Sequence, residues 1–230
     1  MSLHIITNED KWPFSFMAQF VFAVGRIAPS GVTLLGTSFA VAKGKFATTK
    51  HVTNGDDSNL VIVLPRHQTL LEYQDTSDKK MNYLAAKIVA IDPFKDICIL
   101  STNNVDNVVN LLYRLGETDE VLPGSPIATF SFPHADHERL VLTQHNTHIG
   151  ARVLIEAGGL KSKHIILNTQ ARPGQSGGPI INPEDMSVVG MIIGAYTPST
   201  GGSMSFGGVD TRTLHQTTHA ISAEYLKEMI

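Results

Sequence analysis

Apolar positions in this chain fall in short runs, and turn-forming residues close nearly all of them. Phe16 to Val24 is almost continuous in strand formers and predicts a first strand. Pro29-Ser30-Gly31 marks a turn, and Val32 to Ala42 with Lys45 to Thr49 predict a hairpin about Lys43-Gly44. Asn59 to Leu64, ended by Pro65, and Leu84 to Ile91, ended by Asp92-Pro93, predict two more short strands. Ile97 to Leu100 is an apolar run of core-strand type. Ser125 to Phe132, Leu140 to Ile155, Lys163 to Thr169 and Val188 to Tyr196 predict a second set. Short strands with turn signals at this spacing imply an all-β barrel or sandwich.

Between the two sets, residues 102 to 123 are polar and then mixed, as a linker would be. Within them Val105, Val108, Val109, Leu112 and Leu115 have helical spacing. The chain thus divides into an N-terminal unit over 13–105 and a C-terminal unit over 120–230. Pro198 to Gly208 is rich in Gly and Ser and predicts a surface loop. Ile221, Tyr225, Leu226, Met229 and Ile230 are spaced for a terminal helix. There is no internal repeat and no sign of an appended peptide-binding module.

A length of 230 residues at 42% hydrophobic composition suffices for a real core. A net charge of −3 argues against nucleic acid as a partner. No run of 18 apolar residues occurs, so no transmembrane helix and no membrane partner are expected. The single cysteine, Cys98, excludes an internal disulfide and sits where a packed core thiol belongs. Without a signal-like start, these features predict a cytoplasmic protein. The alternative is a secreted or periplasmic one whose leader has been removed. The ten histidines include the groups His134/His137 and His145/His148, but no cysteine or helical His-Glu-Xaa-Xaa-His pattern accompanies them. They read as loop and strand-face residues, and no metal or other cofactor is expected.

The chemistry concentrates in Ala171-Arg172-Pro173-Gly174-Gln175-Ser176-Gly177-Gly178-Pro179-Ile180-Ile181-Asn182. This sets one serine in a loop of small residues directly before an apolar strand. Such a loop can aim the amides of Gly174 and Ser176 into one space, where they would stabilise an oxyanion forming on a carbonyl attacked by Ser176. A nucleophilic serine needs a base, and the base needs an orienting group. His51 follows a predicted strand, and Asp96 opens the run Ile97-Cys98-Ile99-Leu100, where a partly buried carboxylate needs a partner. Taken singly, each has a bland explanation: a Gly-rich turn, a structural histidine, a strand-edge aspartate. Together, the three point to nucleophilic catalysis.

The order His51, Asp96, Ser176 and the context of each resemble the chymotrypsin-like, trypsin-fold serine proteases, for which chymotrypsin is the standard template of the triad. Gly36-Thr37-Ser38-Phe39, Lys50-His51-Val52, Asp96 to Leu100, Gly174 to Pro179 and Val189 to Gly194 follow the order of the bacterial HtrA-like protease domain. The likeness covers roughly residues 15 to 230. Val52-Thr53 after the histidine departs from the small residue and cysteine of animal trypsins. The resemblance implies two antiparallel β-barrels with a C-terminal helix, and a serine endopeptidase acting on a peptide or protein substrate. Ser176 would be nucleophile, His51 base and Asp96 orienter, with the Gly174 and Ser176 amides as oxyanion hole. The alternative is an inactive pseudoprotease that binds peptides. Where trypsin-like zymogens have an aspartate that pairs with a new N-terminus, this chain has Gln175, which implies an intact chain that is active, or is switched by loop movement, without N-terminal cleavage. The resemblance also places Gln170, Ile193, Ala195, Thr218 and His219 at the specificity pocket. None is acidic, which predicts an uncharged, small-to-medium residue before the cut. The sequence leaves the oligomeric state open.

Overall fold

The computed structural model of the chain describes residues 14–102, 111–137, 139–196, 205–206, 209–210 and 217–230. Its N-terminal part contains β1 (Val21–Ala28), β2 (Gly31–Ala42), β3 (Lys45–Thr49), the short helix α1 (Lys50–Thr53), β4 (Leu60–Val63), β5 (Tyr83–Asp92) and β6 (Ile97–Thr102). These strands close into a barrel in the order β1-β2-β3-β6-β5-β4. The C-terminal part contains β7 (Pro126–Ser131), β8 (Thr143–Ala157), β9 (Leu160–Leu167), β10 (Pro179–Ile181) and β11 (Val188–Tyr196). After them come β12 (Ser205–Phe206), β13 (Val209–Asp210), β14 (Thr217–Ser222) and α2 (Glu224–Lys227). Here the closed order is β10-β11-β14-β9-β8-β7, with β12 and β13 paired apart from it. The pairing within both barrels is antiparallel, so the all-β reading with two barrels holds. Among the described residues no helix is long and apolar enough to cross a membrane.

The second barrel has its own small apolar interior, including Ile127, Ile149, Ile165, Ile180, Ile192 and Ala220. A larger cluster fills the first barrel and runs on between the barrels. Phe22 meets Phe46 edge-on at 5.0 Å between ring centres, while Phe14 lies 5.7 Å from Phe130 of β7. Tyr113, from the segment joining the barrels, packs edge-on against Phe20 and donates its buried hydroxyl to Ala40 O. The seam therefore fixes one barrel on the other through interlocked aromatic rings.

Some sequence expectations change. Ser15–Gln19 forms a 3-10 helix, and the strand begins only at Val21. The run is apolar on every side, so its periodicity does not separate a buried turn of helix from a strand. The terminal helix is one turn, Glu224–Lys227, because Ile221 belongs to β14 and pairs with Met191. Ser205–Phe206 and Val209–Asp210 form a two-stranded ribbon within and beyond the expected loop, the rest of which lies outside the described residues. Of the helix expected over Val105, Val108, Val109, Leu112 and Leu115, the first three positions lie outside the described residues, while Leu112 and Leu115 are not helical and Leu115 bridges to Val188 instead.

Candidate active site

β3 delivers the chain to α1, whose first amides would otherwise lack acceptors. Asp96 supplies them. Its carbonyl accepts the Lys50 N–H at 3.0 Å, and its Oδ1 accepts the His51 N–H at 2.9 Å. The second carboxylate oxygen, Oδ2, lies 2.5 Å from His51 Nδ1. One carboxylate thus grips both the backbone and the ring of His51. Asp96 sits in the turn between β5 and β6 with φ of +57°, a left-handed conformation that Asp tolerates better than most residues. Its side chain is 26% exposed and that of His51 50%, so the pair sits at an open edge. A carboxylate oxygen accepts hydrogen bonds, so this contact favours the His51 tautomer with its N–H at Nδ1.

Ser176 comes from the second barrel, in the loop between β9 and β10. Two bonds lock this loop onto β11: Gly177 N–H to Ile192 O and Ile192 N–H to Gly178 O, both 2.8 Å. A third joins it to the first barrel, where Thr37 N–H donates to Ser176 O at 2.9 Å. Gly177 has φ of +87°, and a Cβ there would collide with the Thr37 carbonyl. Only glycine allows β2 to approach so closely. On the β11 side, a Cβ built on Gly194 would stand 3.7 Å from Ser176 Oγ, so that wall is bare beside the hydroxyl.

The amides of Gly174 and Ser176 are fixed from behind. A trans peptide sets N–H and C=O on opposite sides, so anchoring the carbonyl aims the amide. Pro173 O accepts the His134 N–H at 2.7 Å, which orients the Gly174 N–H. Gln175 O accepts the Gly178 N–H at 3.0 Å, which orients that of Ser176. Among the described residues neither amide is given to a backbone carbonyl. Gly174 itself has φ of +88°, and a Cβ there would lie 2.8 Å from Ala135 N. The turn after β7 is therefore the backing of this loop.

The residues expected at a specificity pocket come from β11, from β14 and from the loop after β9. Ala195 pairs with Thr218, and Thr218 Oγ1 donates to Thr169 O at 2.8 Å, just before exposed Gln170. Ile193 is half-buried in the same stretch of β11. His219 lies on the opposite strand face from Thr218, in line with Thr217. Burial, with a smaller contribution from His219, pushes the His164 imidazole down to about 4. Burial likewise lowers His219. Cys98 is fully buried, and burial raises its thiol to about 11. That is an inert core thiol.

Sequence reasoning left three contributors unassigned. Thr37 Oγ1 donates to Gly174 O at 2.7 Å and accepts from Phe132 N–H at 3.0 Å, tying β2, the serine loop and β7 at one atom. The other two are the His134 amide, which anchors Pro173, and the side chain of Gln175.

The sequence profile of the trypsin-like peptidase domain matches residues 36–191, which contain His51, Asp96 and Ser176. No curated protein matches at the level of sequence. Solved structures do match in fold. The protease domain of MamO from Magnetospirillum magneticum superposes with a TM-score of 0.64 at 16% identity, over 94% of this chain and 97% of that one. The active form of the Rv3671c protease from M. tuberculosis gives 0.63 at 17%, over 93% and 80%. The HtrA-type protease AlgW, solved with a decapeptide, gives 0.63 at 17%, over 92% of this chain and 63% of that one.

Proposed function

Because the chain belongs to the family of trypsin-like peptidase domains, we propose that it is a serine endopeptidase working through an acyl-enzyme. The observation that carries this reading is the two-point grip of Asp96 on His51, at 2.9 Å to the backbone N–H and 2.5 Å to Nδ1. A grip on the ring alone would stabilise a fold equally well. Holding backbone and ring together fixes the direction of Nε2, which is what a general base requires.

In this reading Ser176 Oγ attacks the peptide carbonyl while His51 Nε2 takes the hydroxyl proton. The negative charge gathered on the carbonyl oxygen meets the N–H groups of Gly174 and Ser176. Asp96 stabilises the imidazolium. Collapse of the adduct breaks the C–N bond, and His51 passes its proton to the leaving amine. Water, deprotonated by His51, then releases the acid product and regenerates Ser176. The decapeptide on AlgW supports a peptide as the substrate class.

Thr218, Ala195, Ile193 and Gln170 would line the site for the residue before the cut. They are uncharged, and a lysine or arginine buried there would lack a counter-charge. The expected profile on a peptide library is dominated by small or medium uncharged residues; one dominated by Arg or Lys overturns this specificity. The function itself is tested by turnover. His51→Ala and Ser176→Ala should each lower kcat by several orders of magnitude. Peptide binding without hydrolysis by the wild type would leave a binding module instead.

A further inference from the structure

The Gln175 side chain makes two bonds, one at each end of its amide. Oε1 accepts the backbone N–H of Arg172 at 2.7 Å, and Nε2 donates to Ser131 Oγ at 2.8 Å. The first bond folds the side chain back across its own loop, where Gln175 N–H also donates to Arg172 O at 3.1 Å. Residues 172 and 175 are thus clamped twice, and Pro173 and Gly174 are held between them. The second bond fastens the clamp to the last residue of β7. Ser131 is 1% exposed, and β7 is hydrogen-bonded to β8 and β10, so the anchor is rigid. Gln175 therefore sits between the two amides of the candidate oxyanion hole and fixes the turn that carries one of them.

We propose that Gln175 is a positioning residue for the oxyanion hole, an uncharged internal lock that presets the Pro173–Gly174 peptide through Arg172 and Ser131. The inference rests on the serine-peptidase reading and adds to it how the hole is kept formed. The lock, as described, involves no bound ligand and no ionised group. Both its bonds are between neutral groups, so its contribution does not change with pH. Gln175 touches neither substrate nor Ser176 Oγ in this role; it acts only through the direction of the Gly174 N–H.

The test compares Gln175→Met, which keeps length and volume but neither hydrogen bond, with Ser131→Ala and with the double variant. Hydrolysis of one peptide ester or amide gives kcat and KM. A peptide boronate, which forms a tetrahedral adduct on a nucleophilic serine, reports the hole directly. Gln175→Met should lower kcat by about tenfold or more, less than the ~100- to 1,000-fold for deleting a hole donor outright. KM should stay near the wild-type value, and boronate affinity should fall in parallel with kcat. Ser131→Ala should show a smaller loss of the same kind and add nothing in the Gln175→Met background, because the two act through one bond. Thermal unfolding of each variant separates this pattern from loss of fold. Wild-type kcat and boronate affinity in a folded Gln175→Met protein, or additive losses in the double variant, overturn the lock. A wild type that neither hydrolyses the peptide nor forms the boronate adduct overturns the serine-peptidase reading instead.

Discussion

Thr37 Oγ1 is donor and acceptor at once, and both partners belong to the second barrel. Its own carbonyl accepts the Thr48 hydroxyl at 2.7 Å, so the residue is buried with every polar atom paired. Thr37→Val keeps the shape and strands two of those partners, the Phe132 N–H and the Gly174 C=O. The expected cost is about 1–3 kcal/mol of stability, read from a urea unfolding curve. kcat should drop more than KM changes, since the loop behind Ser176 loses its tie to β2. Gly177→Ala is a harsher change at the same contact. A φ of +87° alone is strained for alanine by ~1–3 kcal/mol, and the new methyl would meet the Thr37 carbonyl and lie 2.6 Å from Thr48 Oγ1. Unfolding midpoints should rank wild type above Thr37→Val, and Thr37→Val above Gly177→Ala; the reverse order would contradict the packing of β2 on the serine loop.

Elements were legible in the sequence where local chemistry decides them. Lys43-Gly44 joins β2 to β3 as expected, since Gly44 takes φ of +69° and no neighbour has to intervene. Asp92-Pro93 likewise closes β5 where expected, with the Asp92 carboxylate accepting the Phe94 and Lys95 amides at 3.0 Å. His51, Asp96 and Ser176 were legible as candidates, because each lies in a motif only a few residues long. What holds their surroundings was not. Thr37 finds Gly174 across 137 positions, and Gln175 finds Ser131 across 44, so nothing near either residue signals its partner. The 3-10 turn of Ser15–Gln19 was missed for a related reason. Its buried residues, Met17 and Ala18, are chosen by contacts with distant strands rather than by any period of their own.

At the scale of the molecule, the candidate catalytic residues come from both barrels, His51 and Asp96 from the first and Ser176 from the second. The second barrel also carries a pH-sensitive element. His164 is buried, its Nδ1 has no hydrogen-bond partner among the described residues, and its Nε2 lies 3.0 Å from Ser162 Oγ. With its imidazole held down at about 4 by burial, the native state binds a proton less readily than the unfolded chain does. Its contribution is therefore fully present above pH ~6.5 and lost as pH falls from there toward 4, by up to about 3 kcal/mol. Urea unfolding at pH 7 and pH 5 should show a smaller loss in His164→Gln than in the wild type; equal losses would contradict this. The central claim is that Ser176 is a nucleophile activated by His51. Labelling of the intact protein with a fluorophosphonate, followed by peptide mapping, reads that directly. The account predicts one phosphonyl group per chain, on Ser176, with labelling abolished in Ser176→Ala and strongly slowed in His51→Ala. An unlabelled wild type, or a label on another residue, would contradict it.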